Sequence, residues 1–315
     1  MAWTTTNLIA EVKLICMLPD LNGGVSNDDI LVLADHAMQD DITPLVISLS
    51  KDYWVKNKLL PIVQNKTDYP VPSRAIGQKL HDLTIVGPSN VEYSLSQIAS
   101  QDAWRFKVGY PNAVGSGFVY HFAGDNVRIL PNPGNTQGSL NLSYFLRRSV
   151  FFQETAGGFA QVVSVNTTTG AITVNINPTT IWSVGQKIDI TGFGPPNDVL
   201  GVGLTVVSVT ASPNVVTVAA SSLPSGIATD DYVFTEDQTT VPGMPADLRT
   251  LLVHATAARV LAALADPKVD QAFALVDRDK QRLMDLMAPR NEGEPPTIIN
   301  YNSLIRGGRG FGWRR

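Results

Sequence analysis

Cysteine and histidine are scarce in this chain: one cysteine and four histidines among 315 residues. A single thiol excludes an intramolecular disulfide framework. Cys16 lies in the apolar run Leu14-Ile-Cys-Met-Leu18, the setting of a buried, unreactive thiol. The histidines stand at 36, 81, 121 and 254, and no two have metal-ligand spacing. His36 and Asp40 are one helical turn apart but lack a third ligand, so no metal and no cofactor are expected. Charge is sparse too, at 17% of residues against about 25% in an average soluble domain. The 44% hydrophobic share nevertheless excludes a disordered chain. Long apolar runs are missing: the best, Leu251 to Ala265, contains His254 and Arg259 and falls short of the roughly 18 uncharged residues a membrane span needs. The first apolar segment carries Glu11 and Lys13, unlike a secretory signal, which leads us to expect a reducing, aqueous compartment. A Gly-X-Y period and sustained heptads are absent, excluding collagen and a long coiled coil.

What is present begins with helix. The pattern over the first ~65 residues reads as helical. Asn7 is a candidate cap for a turn set with Leu8, Ile9, Val12, Ile15 and Cys16 inward. Ser26 is a good N-cap, with Asp28 and Asp29 in the positive first turn. Pro44 stands inside the next apolar pattern and should kink the helix near Asp40 to Thr43.

Residues 68–150 change period to alternation broken by Gly, Pro and Asn. Phe118 to Leu130 reads as a hairpin turning at Gly124-Asp125-Asn126, and Tyr93 to Ala103 as one short helix. Residues 154–237 differ in kind, with seven acids (Glu154, Asp189, Asp198, Asp230, Asp231, Glu236, Asp237) against Lys187 and no arginine. The net −6 of this segment leaves +2 for the rest of a chain whose total is −4. It also repeats: Val162-Val-Ser-Val165 with Thr173-Val174 returns 44 positions later as Val206-Val-Ser-Val209 with Thr217-Val218. The same offset aligns Lys187–Thr191 with Asp231–Thr235. Two copies of strand, turn, strand, loop, strand suit closure into a small barrel or sandwich rather than a solenoid.

Helix resumes after Pro242, with Pro245 suited to a first helical position, and Asp266-Pro267 starts a second, antiparallel helix. The expected architecture is α+β: a helical core with a small antiparallel β-element, interrupted by an inserted all-β domain, plus an extended arm. The core takes residues 1–152 and 239–290, the acidic insert 153–238 and the arm 291–315.

No nucleophile elbow, phosphate loop, zinc-protease helix or kinase set is present. The acidic pairs 28/29, 40/41 and 230/231 read as capped or solvated faces, His254 as a packed or interface histidine. No catalytic residue and no enzyme activity are expected. The last ten residues hold Arg306, Arg309, Arg314 and Arg315 with Phe311 and Trp313, suited to anchoring in a protein groove or to phosphate contact with base stacking.

The segment order resembles the head-to-tail adaptor (connector) proteins of tailed bacteriophages. The residues that carry it are Asp28-Asp-Ile-Leu-Val-Leu-Ala-Asp35, Pro44, Tyr53-Trp-Val55 and Tyr69-Pro-Val-Pro-Ser-Arg-Ala75. Val127-Arg-Ile-Leu-Pro-Asn-Pro133, Leu142-Ser-Tyr-Phe-Leu-Arg147 and Met287-Ala-Pro-Arg-Asn-Glu-Gly-Glu-Pro295 continue it, so that 7–150 and 242–305 are covered and the acidic repeat is not. The resemblance implies a structural virion protein at the head–tail junction, assembled in the host cytoplasm. It implies a homo-oligomeric, dodecameric ring beneath the portal protein that extends the DNA channel and docks tail or nozzle proteins. Such a ring encloses DNA without binding it specifically and has no membrane partner. By position the portal-docking arm would use Arg306, Arg309, Phe311, Trp313, Arg314 and Arg315. Two alternatives remain: a tail or capsid decoration protein whose β-module binds a surface or carbohydrate, and a nucleic-acid-binding protein acting through the Arg-Gly tail.

Overall fold

The computed structural model describes residues 3–17, 24–49, 54–87, 91–104, 118–132, 138–194 and 198–287. The chain opens with α1 (Thr5–Cys16), α2 (Asn27–Ala37) and α3 (Thr43–Leu49). Asn7 lies inside α1 rather than capping it. The helix starts at Thr5, which donates its N–H to the Thr240 carbonyl (2.8 Å) and its hydroxyl to the Phe152 carbonyl (2.9 Å). Distant chain therefore satisfies a terminus that local capping would otherwise serve. Leu8, Ile9 and Val12 are buried, but Ile15 is exposed. Ser26 caps α2 in a reciprocal box: its hydroxyl accepts the Asp29 N–H, and the Asp29 carboxylate accepts the Ser26 N–H. The break that Pro44 demands appears as a π-turn over Met38–Ile42. There the Thr43 N–H and hydroxyl (2.7 Å) both reach the Met38 carbonyl.

The next strands are β1 (Val55–Pro61), β2 (Asp68–Pro70), β3 (Ala75–Val86), β4 (Glu92–Ser94), β5 (Ser96–Gln97), β6 (Val119–Ala123), β7 (Asn126–Leu130), β8 (Ser139–Leu146) and β9 (Val150–Phe151). One sheet runs β1-β8-β3-β4 and a second β2-β7-β6-β5. They share a buried cluster that includes Tyr69, Leu83, Ile85, Tyr120, Ile129 and Leu142, the core of a small sandwich. The β6–β7 hairpin turns at Gly124, whose φ of +60° suits glycine.

These sheets overturn the expected helical core with a small β-element. Strands hold at least as many residues as helices, and the chain outside the insert is a helical layer joined to a two-sheet sandwich. Two stretches account for the difference. Residues 55–61, where the sequence pattern predicts helix, form β1, because β8 offers it a partner along its whole length, from Val55 opposite Phe145 to Pro61 opposite Ser139. Residues 93–103, where one short helix is expected, give β4, β5 and a 3₁₀ turn at Ser100–Asp102, with α-helix only from Ala103. In both, strand partners override weak local preference: β8, far along the chain, for β1, and the neighbouring β3 and β6 for β4 and β5.

The insert is a closed barrel of β10 (Phe159–Asn166), β11 (Ala171–Val174), β12 (Lys187–Thr191), β13 (Val199–Ala211), β14 (Asn214–Val218) and β15 (Tyr232–Thr235), in the order β10-β11-β14-β13-β12-β15. The two hairpins share one register 44 residues apart. Val162 pairs with Val174 and Val206 with Val218, and both have a bulge before Ser164 or Ser208. The third strands exchange: β12 pairs with β13, β15 with β10, and each with the other. There the offset slips by one residue. Ile188, Ile190 and Val233 fill the interior, so Tyr232 and Phe234 point outward.

Entry and exit of the barrel lie side by side, because β9 pairs in parallel with β16 (Gln238–Thr239). The chain ends, as described, with α4 (Arg249–Ala263) and α5 (Val269–Met287). Asp266 starts α5 by accepting the Lys268 N–H on its carboxylate (2.8 Å). α4 is buried along most of its length, and one apolar cluster unites it with α1, α2, α3 and α5. Its alanines let these helices approach closely.

Candidate functional site

The six arm residues, Arg306, Arg309, Phe311, Trp313, Arg314 and Arg315, lie outside the described residues. Among the residues that are described, the acidic pairs do structural work. Arg259 bridges Asp40 (3.2 Å) and Asp41 (2.8 Å), and Lys280 reaches Asp41 (2.7 Å), tying the π-turn to α4 and α5. Burial pushes the Asp41 carboxyl up, but the hydrogen bonds from Lys280 and Arg259 outweigh it and hold the group below its ordinary range. Asp231 accepts the N–H groups of Phe193 (2.9 Å) and Ala228 (2.7 Å) and so closes two barrel loops.

His254 Nδ1 lies 2.5 Å from Asp279 Oδ2 across the α4–α5 seam. Sequence reading missed this pair because its members are 25 residues apart on different helices. A histidine oriented by a carboxylate is half of a general-base arrangement. Among the described residues no hydroxyl or thiol is hydrogen-bonded to it, and no group of His, Cys, Asp and Glu could hold a metal. Thr250 lines a neighbouring cavity of about 170 Å³ beside Asp279 without bonding His254. Burial, with the Asp266 charge adding, pushes the Cys16 thiol up to about 11; it points to the Ala257 carbonyl at 3.6 Å and is a poor nucleophile.

The most developed polar constellation joins sandwich to barrel. Arg74, just before β3, is buried. Its guanidinium pairs with Asp189 of β12, donates to the Arg147 carbonyl (3.0 Å) and to Ser149 Oγ (2.8 Å), and lies 3.4 Å from Asp237. Asp189 also accepts the N–H groups of Gly203 (2.7 Å) and Asp237 (3.0 Å). Arg147 closes the ring by reaching Asp237 (2.8 Å). Sandwich, barrel and the neck between them, which is the β9–β16 pair with its flanking residues, meet at one guanidinium, so the barrel's attitude is fixed by directional bonds as well as by apolar contact of Tyr144 and Leu146 with Val199.

Apolar side chains are left in solvent on the helical layer, and a half-buried aromatic run lies on the barrel. Leu14 (78% exposed) and Met17 (79%) crown α1, Val32 stands out on α2, and Phe273 and Met284 on α5. On the barrel, the Phe193 ring lies 6.1 Å from Tyr232, which stacks on Phe234 (5.9 Å), itself against Phe159 and Phe152. The resulting aromatic run lies outside the barrel interior and buries Phe234 completely, leaving the other four rings partly exposed. No family model matches the chain, and no curated protein matches it.

Proposed function

We propose that the protein is a structural, non-catalytic assembly component: a head-to-tail adaptor that forms a ring beneath a phage portal. In this reading the ring extends the DNA channel and receives tail proteins within the virion. The observation that carries it is the set of large apolar side chains left in solvent on α1, α2 and α5, surfaces that side-by-side copies in a closed ring would cover. Two further features support it. The barrel is held by a buried polar joint rather than a free linker, as a docking platform requires. The acidic insert disfavours tight adhesion to DNA.

The test is electron microscopy and native mass spectrometry of the full chain, alone at high concentration and with portal protein. A closed high-order ring is the expected result; a monomer under every condition would remove the reading. Deleting 307–315 should weaken portal binding and leave the circular dichroism unchanged.

A second reading, a decoration protein whose barrel binds carbohydrate, draws on the partly exposed rings of Phe193 and Tyr232. It predicts glycan binding that is lost when Phe193 and Tyr232 become alanine, and a blank glycan array would dismiss it.

A further inference from the structure

Where the sandwich meets the barrel, a cavity of about 320 Å³ opens between β1 and the β12–β13 side of the barrel. Its lining is cationic: Lys56 and Lys58 from β1, Arg74 on the sandwich side and Lys187 from β12, with Glu236 opposite. Two of these cations are already answered. Arg74 has Asp189 and Asp237, and Lys187 has Glu236 at 3.5 Å. Lys56 and Lys58 are not: among the described residues neither has a carboxylate within ion-pair reach. Two positions apart on one strand, they send their side chains to the same side of the sheet.

Lys56 is the more telling. It also borders a second cavity of about 140 Å³, which holds Asp198 and Arg148. Burial lowers its pKa; the Asp198 charge opposes that shift and the Arg148 charge adds to it. Asp198 lies beyond ion-pair reach, so the cost of partly withdrawing this ammonium from water is only partly offset. Two lysines that converge on a cavity already carrying a guanidinium are the arrangement that an anion would satisfy.

We infer that this cavity is an oxyanion site for a dianionic phosphate group, held by Lys56 and Lys58 on its sandwich wall, with the Lys187–Glu236 pair on the barrel wall opposite. Its volume is at the small end of ligand sites, roughly 300–1,000 Å³. Leu200 and Pro224 on the barrel side offer an apolar wall to an organic substituent. A ligand there spans sandwich and barrel and stiffens the joint that Arg74 makes.

The experiment titrates inorganic phosphate into the full-length protein by calorimetry, with ionic strength held constant by chloride. Lysine side-chain NMR runs in parallel. Saturable binding is expected, with the Lys56 ε resonances moving and its titration shifting upward. The Lys56→Met/Lys58→Met variant should bind at least tenfold more weakly. Should that variant fail to fold, Lys58→Met alone, at an exposed position, should still weaken binding by about threefold. Absence of saturation, or unchanged affinity in the variants, overturns the site. Phenyl phosphate in place of phosphate separates the sources. Tighter binding assigns the site to an esterified phosphate and equal binding to the free ion, both in its favour. A DNA duplex that displaces phosphate would make the lysines a backbone contact and overturn the small-ligand assignment.

Discussion

Asp35 is an acid in the wrong surroundings for its charge. It lies on the buried face of α2, and the hydrogen bond it receives is from the Phe151 N–H (2.9 Å). Burial pushes its carboxyl up to about 7; the Phe151 bond works against that, and the Asp237 charge adds to it. An unfolded aspartate titrates near about 3.9, so between about pH 4 and pH 7 the native state binds the extra proton. Stability from this group is full below that window, falls as pH rises through it, and is level above. Asparagine keeps an acceptor for Phe151 and removes the charge. Asp35→Asn should therefore flatten the decline in melting temperature between about pH 4.5 and pH 8. Parallel profiles for the two proteins would mean that Asp35 titrates normally.

Among the elements, the barrel shows how one short unit makes a closed structure when used twice. Each hairpin repeats its partner's register and bulge, and closure comes from the exchanged third strands. The turn before β11 depends on Gly170. Its φ is +72°, and a Cβ there would meet the Val218 carbonyl oxygen at 2.1 Å and the Ala220 nitrogen at 3.0 Å. Both neighbours are backbone of the next hairpin, so neither can swing aside. Gly170→Ala should cost about 2 kcal/mol or more in urea unfolding, from strain and displaced backbone together. Gly185 also has a positive φ, +87°, but nothing lies within 4 Å of its Cβ position, so Gly185→Ala should cost only the conformational strain, about 1–2 kcal/mol. Equal costs would show that the Gly170 contact relaxes.

For the whole molecule the decisive feature is the joint at Arg74. Three parts of the chain, the sandwich, the neck and the barrel, place polar groups on one guanidinium that is 4% exposed, facing Asp189 at 1%. A buried pair of this kind need not stabilise the fold relative to apolar residues of similar shape, but losing one partner strands the other. Arg74→Ala should lower unfolding free energy by about 3–5 kcal/mol, read from the urea midpoint. A loss below about 1 kcal/mol would mean that Asp189 finds water or a proton at little cost. The same joint borders the cationic cavity, so the barrel's attitude and the proposed anion site depend on one another.

Features set by neighbours in the chain were legible in the sequence: the N-cap at Ser26, the break before Pro44, the hairpin at Gly124 and the 44-residue period of the barrel hairpins. Each depends on turn chemistry or periodicity over a few residues. The arm was legible only as composition, because an arginine-rich, glycine-rich segment specifies no partner by itself. Tertiary structure alone decided the rest. Residues 55–61 became a strand because β8 was there to pair with them, and the third strands of the barrel exchanged partners because that exchange closes the sheet. Arg74 met Asp189 across 115 positions, and Lys56 and Lys58 came to share a cavity with Lys187. Such contacts follow from which surfaces are buried together once the chain has closed its long loops, a balance that no local pattern encodes.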